Sequence, residues 1–195
     1  HTRGLKYIQE FHNNLDTIDK PKITKCSKEK PYTKIEFKPD YERLGLGKTG
    51  LTKDMLDLFR RRVYDIAAVT NKKITVKLNS EIIPVKNFQQ YIKLIVGDRE
   101  TKYEEANERW EYAVGLAPEG EFYQVSFVNG IYTSKGGKHV EYILNQLVRK
   151  LVAYIKLKKK VDVKSSAIKE QLCLFIRCDI ENPAFDSQTK DCMNT

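Results

Sequence analysis

From His139 to Ile155 the apolar residues Val140, Ile143, Leu144, Leu147, Val148, Leu151, Val152 and Ile155 recur at steps of three and four without a break. That period marks one apolar face of a helix, and at about 1.5 Å per residue the segment extends roughly 25 Å. A helix of that length can cross a whole sheet and bury its stripe against it. The segments around it must supply that sheet, so an α+β architecture is expected.

Strand patterns are present on both sides. LKYIQEF and YTKIEFKP alternate near the start, and KPDYER reads as a turn-rich exit. Leu51 to Val69 turns helical, with Met55, Leu56, Phe59, Val63, Ile66 and Ala67 on the expected inner face and Thr52 as N-cap. KKITVKLNSEIIPV predicts two strands joined at Asn79-Ser80, while NFQQYIKLI fits either helix or strand. GDRETKYEEANE is charged and lacks a sustained apolar face, which makes it a candidate domain boundary. Beyond it, RWEYAVGLA and EFYQVSFVNGIY predict an antiparallel pair joined through Pro118-Glu119-Gly120, and LCLFIRCDI a further apolar strand. Trp110, the sole tryptophan, is expected as a core or interface anchor at a strand start.

Charge narrows the partners. The chain carries 35 Lys and Arg against 26 Asp and Glu, a net +9, which attracts polyanions. Between Arg149 and Lys169 eight basic residues face one acid, so most of the excess sits at one helix end and the loop after it. Lys156 and Lys158 complement the dipole of a helix C-terminus. Crowding Lys158, Lys159 and Lys160 costs self-repulsion that a polyanion would relieve. No aromatics interleave with these lysines, so contact is expected with phosphates and insensitive to base sequence.

Two short stretches are candidate anion contacts. NPAFDSQTK follows the last strand; Pro183 and Asp186-Ser187 favour a turn, which leaves Lys190 either reaching for a phosphate or solvated on a loop. SKGGKH puts two glycines just before the long helix, where backbone amides could cradle an anion or the chain could approach the sheet closely. Cys26, Cys173, Cys178 and Cys192 lack C-x-x-C spacing, so no zinc site is expected. Cys173 and Cys178, five apart in a strand, fall on opposite faces, packed in a reducing compartment. No apolar run is long enough for a membrane span and no signal-peptide core opens the chain, so an intracellular soluble protein is expected. No phosphate-binding glycine loop, catalytic triad or other local catalytic motif is present. Taken alone, these residues describe an α+β module that binds a phosphate backbone.

The blocks NERWEYAVGL, QVSFVNGIYTSKGGKHVEYI and CDIENPAFDSQTK, in that order and spacing, resemble the eukaryotic-type type IIA DNA topoisomerases where the ATPase domain joins its transducer. KPDYERLGL and RRRVYDIAAV fit the same family upstream. GGK in place of the more familiar GGR, and Cys173 where an aromatic is common, mark a divergent member. The resemblance implies the end of a GHKL-type ATPase α/β sandwich at residues 1–97. A transducer domain would follow at 98–195, its β-sheet packed against a long helix (ribosomal protein S5 domain 2-like).

It implies further that Gln188 and Lys190 contact the γ-phosphate of ATP. Lys156, Lys158, Lys159 and Lys160 correspond to a lysine-rich loop facing double-stranded DNA, although KLKKKVDVKSS is a little shorter than is usual. The Mg²⁺ ligands and the catalytic groups for ATP hydrolysis are expected upstream, the DNA-cleaving core downstream, with no catalytic residue in this segment. A homodimer through the ATPase gate, no membrane, and a nuclear location complete the expectation, with cytoplasm or virion if a virus encodes it.

Overall fold

The expected N-cap is in place: the Met55 amide donates to Thr52 Oγ1 at 3.3 Å, and α1 runs Lys53–Val69. The computed structural model describes residues 4–26 and 30–195, and two compact units, His1–Leu56 and Asp57–Thr195, divide within this helix.

In the first unit β1 (Leu5–Ile8) pairs antiparallel with β4 (Lys22–Lys25), and between them β2 (Phe11–His12) pairs with β3 (Thr17–Ile18). The alternation in YTKIEFKP does not become a strand. Residues 30–40 carry no strand, and Ile35 and Phe37 are 83% and 81% exposed. An alternating run is a strand only beside a neighbour that accepts its hydrogen bonds, and the described residues offer none.

The second unit is built on one sheet. A two-residue hairpin joins β5 (Lys77–Leu78) to β6 (Glu81–Ile82), with Asn79 and Ser80 both at positive φ, as a type I′ turn requires. The ambiguous NFQQYIKLI is helical: α2 spans Phe88–Val96, and Asn87 Oδ1 accepts from the Gln90 amide at 2.8 Å. The main sheet takes β7 (Thr101–Asn107), β8 (Trp110–Leu116), β9 (Tyr123–Val128), β10 (Ile131–Tyr132) and β12 (Leu172–Cys178) in the order β10-β9-β12-β8-β7. Between β10 and β12 lie β11 (Gly136–Gly137), α3 (Lys138–Lys159) and α4 (Ser165–Glu170).

Three expectations change here. The charged stretch is mostly strand: β7 forms the sheet edge, and its second half, with the adjacent Glu104 and Glu105, is exposed. β8 and β9 are not partners, because β12 lies between them, antiparallel to β8 and parallel to β9. The tight two-residue turns, Glu108-Arg109 and Asn129-Gly130, make the real hairpins β7-β8 and β9-β10. A parallel neighbour for β9 needs a crossover, and α3 is that crossover. Finally, the inner face of α1 is rotated. Leu56, Phe59 and Ile66 are exposed, whereas Asp65, Ala67 and Ala68 are buried. Asp65 goes inside because Tyr91 donates to it at 2.6 Å and Arg62 at 2.9 Å.

β12 is buried on both faces, which its unbroken apolar run anticipates. Cys173 and Phe175 face a core built with the end of α1, α2 and Phe127; Leu172, Leu174, Ile176 and Cys178 face α3 through Val140, Leu144 and Val148. Cys173 and Cys178 thus lie on opposite faces, as their spacing requires. Trp110, at the start of β8, is half-buried and packs beside Tyr142 of α3. The sheet is covered on both sides, and α3 lies across one of them. At 22 residues α3 is about a turn and a half longer than its apolar stripe, roughly 33 Å at about 1.5 Å per residue. Among the described residues no helix is long and apolar enough to cross a membrane.

Candidate functional site

The two sets of candidate residues stand at opposite ends of α3. At its start, the two glycines pair in parallel with β13 (Cys192–Met193). A Cβ on Gly137 would lie 2.1 Å from the Met193 carbonyl oxygen, and its φ of +129° belongs to glycine, so close backbone approach is the reason for that residue. The cradle reading of SKGGKH gives way to this packing. From inside, Gln124 Nε2 donates to the carbonyls of Thr133 (3.3 Å) and Ser134 (3.0 Å). Thr133 Oγ1 shares hydrogen bonds with Ser126 Oγ (2.6 Å) and His139 Nε2 (3.1 Å). His139 is 1% exposed, and burial pushes its pKa down to about 4, so the ring is neutral.

The segment 186–191 hangs from this anchored start. Asp186 N–H donates to the Cys192 carbonyl, Phe185 bridges to Met193, and the Ala184 and Asn194–Thr195 backbones exchange hydrogen bonds. These contacts fix both stems of a short loop. Within it Lys190 N–H closes a turn onto the Ser187 carbonyl at 3.1 Å, and Lys190 sits in the left-handed region at φ +59°. Its ammonium lies 5.5 Å from the Phe185 ring centroid and, among the described residues, faces no carboxylate ion pair. Gln188 and Lys190 are both exposed, two residues apart. An amide donor and an unpaired cation on a stiff loop suit a phosphate group.

At the other end, the lysine run is helical rather than loop. Lys156, Lys158 and Lys159 occupy the last turn of α3, and Lys160 is its left-handed cap, its amide bonded to the Lys156 carbonyl at 3.1 Å. All four are exposed. Lys156 meets Asp162, the local acid, at 2.8 Å in an exposed ion pair; Lys158, Lys159 and Lys160 have no such partner among the described residues. The γ-phosphate and DNA candidates are therefore not one site. They are two, separated by the length of α3.

The DNA gyrase B family profile matches residues 68–195. The chain belongs to the DNA gyrase B family. Within it, the similarity lies with the eukaryotic DNA topoisomerase 2 proteins, as the blocks that end in QTK lead one to expect. DNA topoisomerase 2 of Saccharomyces cerevisiae is 41% identical over 211 residues, taking in 98% of this chain and 14% of that protein. DNA topoisomerase 2 of Arabidopsis thaliana is 42% identical over 97% of this chain and 13% of its own length. The crystal structure of the ATPase region of Saccharomyces cerevisiae topoisomerase II matches with a TM-score of 0.91 at 42% identity, covering 98% of this chain and 49% of that one. The chain thus spans about half of that solved region and a small part of the curated relatives' length. The α+β class and the sheet-on-long-helix arrangement are those of this family member.

Sequence reasoning missed the residues that fix the loop. Asp191, Thr189, Ser134 and Phe185 carry it, and only the T-x-D spacing of Thr189 and Asp191 hinted at a local hydroxyl–carboxylate bond.

Proposed function

We propose that this segment is part of an ATP-dependent type II DNA topoisomerase, the piece that converts the state of bound ATP into movement of the gate admitting a DNA duplex. Residues 1–97 are read as the C-terminal part of the ATPase domain and 98–195 as the transducer; the packing unit beginning at Asp57 then includes the joint, with α2 docked on the transducer sheet. The observation that carries the reading is the fold likeness of 98% of the chain to a topoisomerase II ATPase region.

ATP is the substrate, with its Mg²⁺ held by groups outside this segment. Lys190 and Gln188 reach the γ-phosphate, where an ammonium and an amide make charge-assisted hydrogen bonds that strengthen as water leaves. ADP lacks that group. A contact made before hydrolysis and lost after it can bias two conformations, and α3 moves as a rigid rod with the loop at its start. Lys156, Lys158, Lys159 and Lys160 at its far end face the phosphates of the captured duplex. Two copies close the gate, and a nuclear setting fits the relatives' eukaryotic sources.

The test is made in the complete protein, comparing wild type with Lys190→Ala and Gln188→Ala. DNA-stimulated ATP turnover falls, and the preference for a non-hydrolysable ATP analogue over ADP collapses. Unchanged turnover and preference would return Lys190 to a solvated loop residue and leave a phosphate-backbone binding module, read from the lysine end alone, as the better account.

A further inference from the structure

One carboxylate joins the loop to the helix start. Asp191 Oδ2 accepts from Thr189 Oγ1 at 2.7 Å, and Asp191 Oδ1 accepts from Ser134 Oγ at 3.2 Å. Its backbone carbonyl accepts the Lys135 amide at 2.9 Å. Thr189 stands between Gln188 and Lys190, and Ser134 stands two residues before Gly136. Ser134 to Asp191 is the side-chain hydrogen bond that connects residues 186–191 with residues 134–137 among the described residues. The Thr189 hydroxyl, followed by Ser134 and Lys135, holds the Asp191 carboxyl below the usual carboxylate range, so both acceptors are available at neutral pH.

The geometry points to Asp191 as the positioning residue that ties the γ-phosphate loop to α3, its two oxygens gripping Thr189 on the loop and Ser134 in the turn that leads through β11 into the helix. The inference rests on the reading of Gln188 and Lys190 given above and goes beyond it. Binding is the work of those two side chains. Transmission is a separate function, because a loop free to follow the γ-phosphate alone would leave the helix where it was. The backbone pairing of β11 with β13 keeps the two segments adjacent, but its partners are residues 136–137 and 192–193, past the tip of the loop. Asp191 is the side chain that reaches both ways from the loop itself.

The two ends of this bridge can be cut separately. Ser134→Ala removes the side-chain link to the helix start and leaves the Thr189 bond within the loop and the Lys135 backbone bond intact. Asp191→Ala removes both, and Asp191→Asn, which offers one carbonyl acceptor and one donor, can keep both contacts with one hydroxyl reversed. In the complete protein two quantities are read: the affinity ratio of a non-hydrolysable ATP analogue to ADP, and the number of duplexes passed per ATP hydrolysed. Ser134→Ala is expected to keep the ratio and to lower passages per ATP by about fivefold or more, the lower range of allosteric couplings. Asp191→Ala lowers both, and Asp191→Asn restores passages per ATP relative to alanine.

Lys190→Ala is the reference arm. If it leaves the analogue-to-ADP ratio unchanged, the reading of the loop fails, and this inference with it. If Lys190→Ala collapses the ratio while Ser134→Ala and Asp191→Ala keep wild-type passages per ATP, the loop reading stands and the role of Asp191 is overturned. Should Asp191→Ala fail to fold, Ser134→Ala decides alone by the same criterion.

Discussion

The two ends of α3 are held by different physics. Its start is locked by backbone against backbone, a neutral buried histidine and a carboxylate shared between two hydroxyls. Its finish is a turn of exposed lysines with one exposed ion pair. The first end tolerates little change in shape. The second tolerates almost any shape and acts through charge, over a range that shrinks as salt rises. This contrast between a stereospecific end and an electrostatic end is what the proposed reading, a nucleotide's state passed to a polyanion, would need.

The sharpest way to break this contrast is at Gly137. Gly137→Ala drives a methyl into the Met193 backbone at a φ that alanine avoids, so stability is expected to fall by about 3 kcal/mol or more, read from denaturant unfolding. Gly120 is also at positive φ but meets only the end of the Gln171 side chain at 3.6 Å; Gly120→Ala is expected to cost about 1 kcal/mol. Equal losses at the two positions would mean that the start of α3 is not specially locked.

His139 gives the same end a pH signature. Its folded pKa, about 4, lies below the unfolded value near 6.5, so between these values the unfolded chain binds the proton and the folded one does not. Stability is therefore unaffected by this group above about pH 6.5 and declines as pH falls toward 4, by up to about 3 kcal/mol. Unfolding measured from pH 7.5 to 4.5 checks the slope, and His139→Asn, though less stable at neutral pH, should lack this component. An equal slope in that variant would show the loss to come from other groups.

At the far end the effects on stability are the smallest. Lys158→Ala, Lys159→Ala and Lys160→Ala should each change stability by less than about 0.5 kcal/mol, as exposed side chains do. Each that touches duplex phosphate should reduce the slope of log affinity against log salt by about 0.9. Lys156→Ala should reduce it less, because Asp162 already engages that ammonium. A uniform drop at all four positions would make the Asp162 pair irrelevant to the contact.

How much of this was legible follows from what each element depends on. Thr52, the Asn79-Ser80 hairpin and the stripe of α3 are local, so spacing and turn chemistry reveal them. The order of the sheet is not local. Which strand lies beside β9 depends on a crossover that begins at Ile131 and ends at Leu172, and the loop at Pro118 has the look of a hairpin turn without being one. Asp65 was hidden for the same reason: its partner Tyr91 is 26 positions away, and a count of apolar residues puts Ile66 inside instead. Gln188 and Lys190 are named by a family motif rather than by their own spacing, and both are exposed. Asp191 was not legible, since its meaning depends on Ser134, 57 positions earlier.

The most direct test of the two-ended rod is the coupling between its ends. In the complete protein, the affinity of a non-hydrolysable ATP analogue is measured with and without duplex DNA, for wild type and for Lys158→Gln/Lys159→Gln/Lys160→Gln. The account predicts that duplex DNA raises analogue affinity in wild type, that the triple variant loses this gain, and that its affinity without DNA is unchanged, because coupling between two sites is reciprocal while each site's own contacts stay in place. A gain from DNA that persists undiminished in the variant would contradict it.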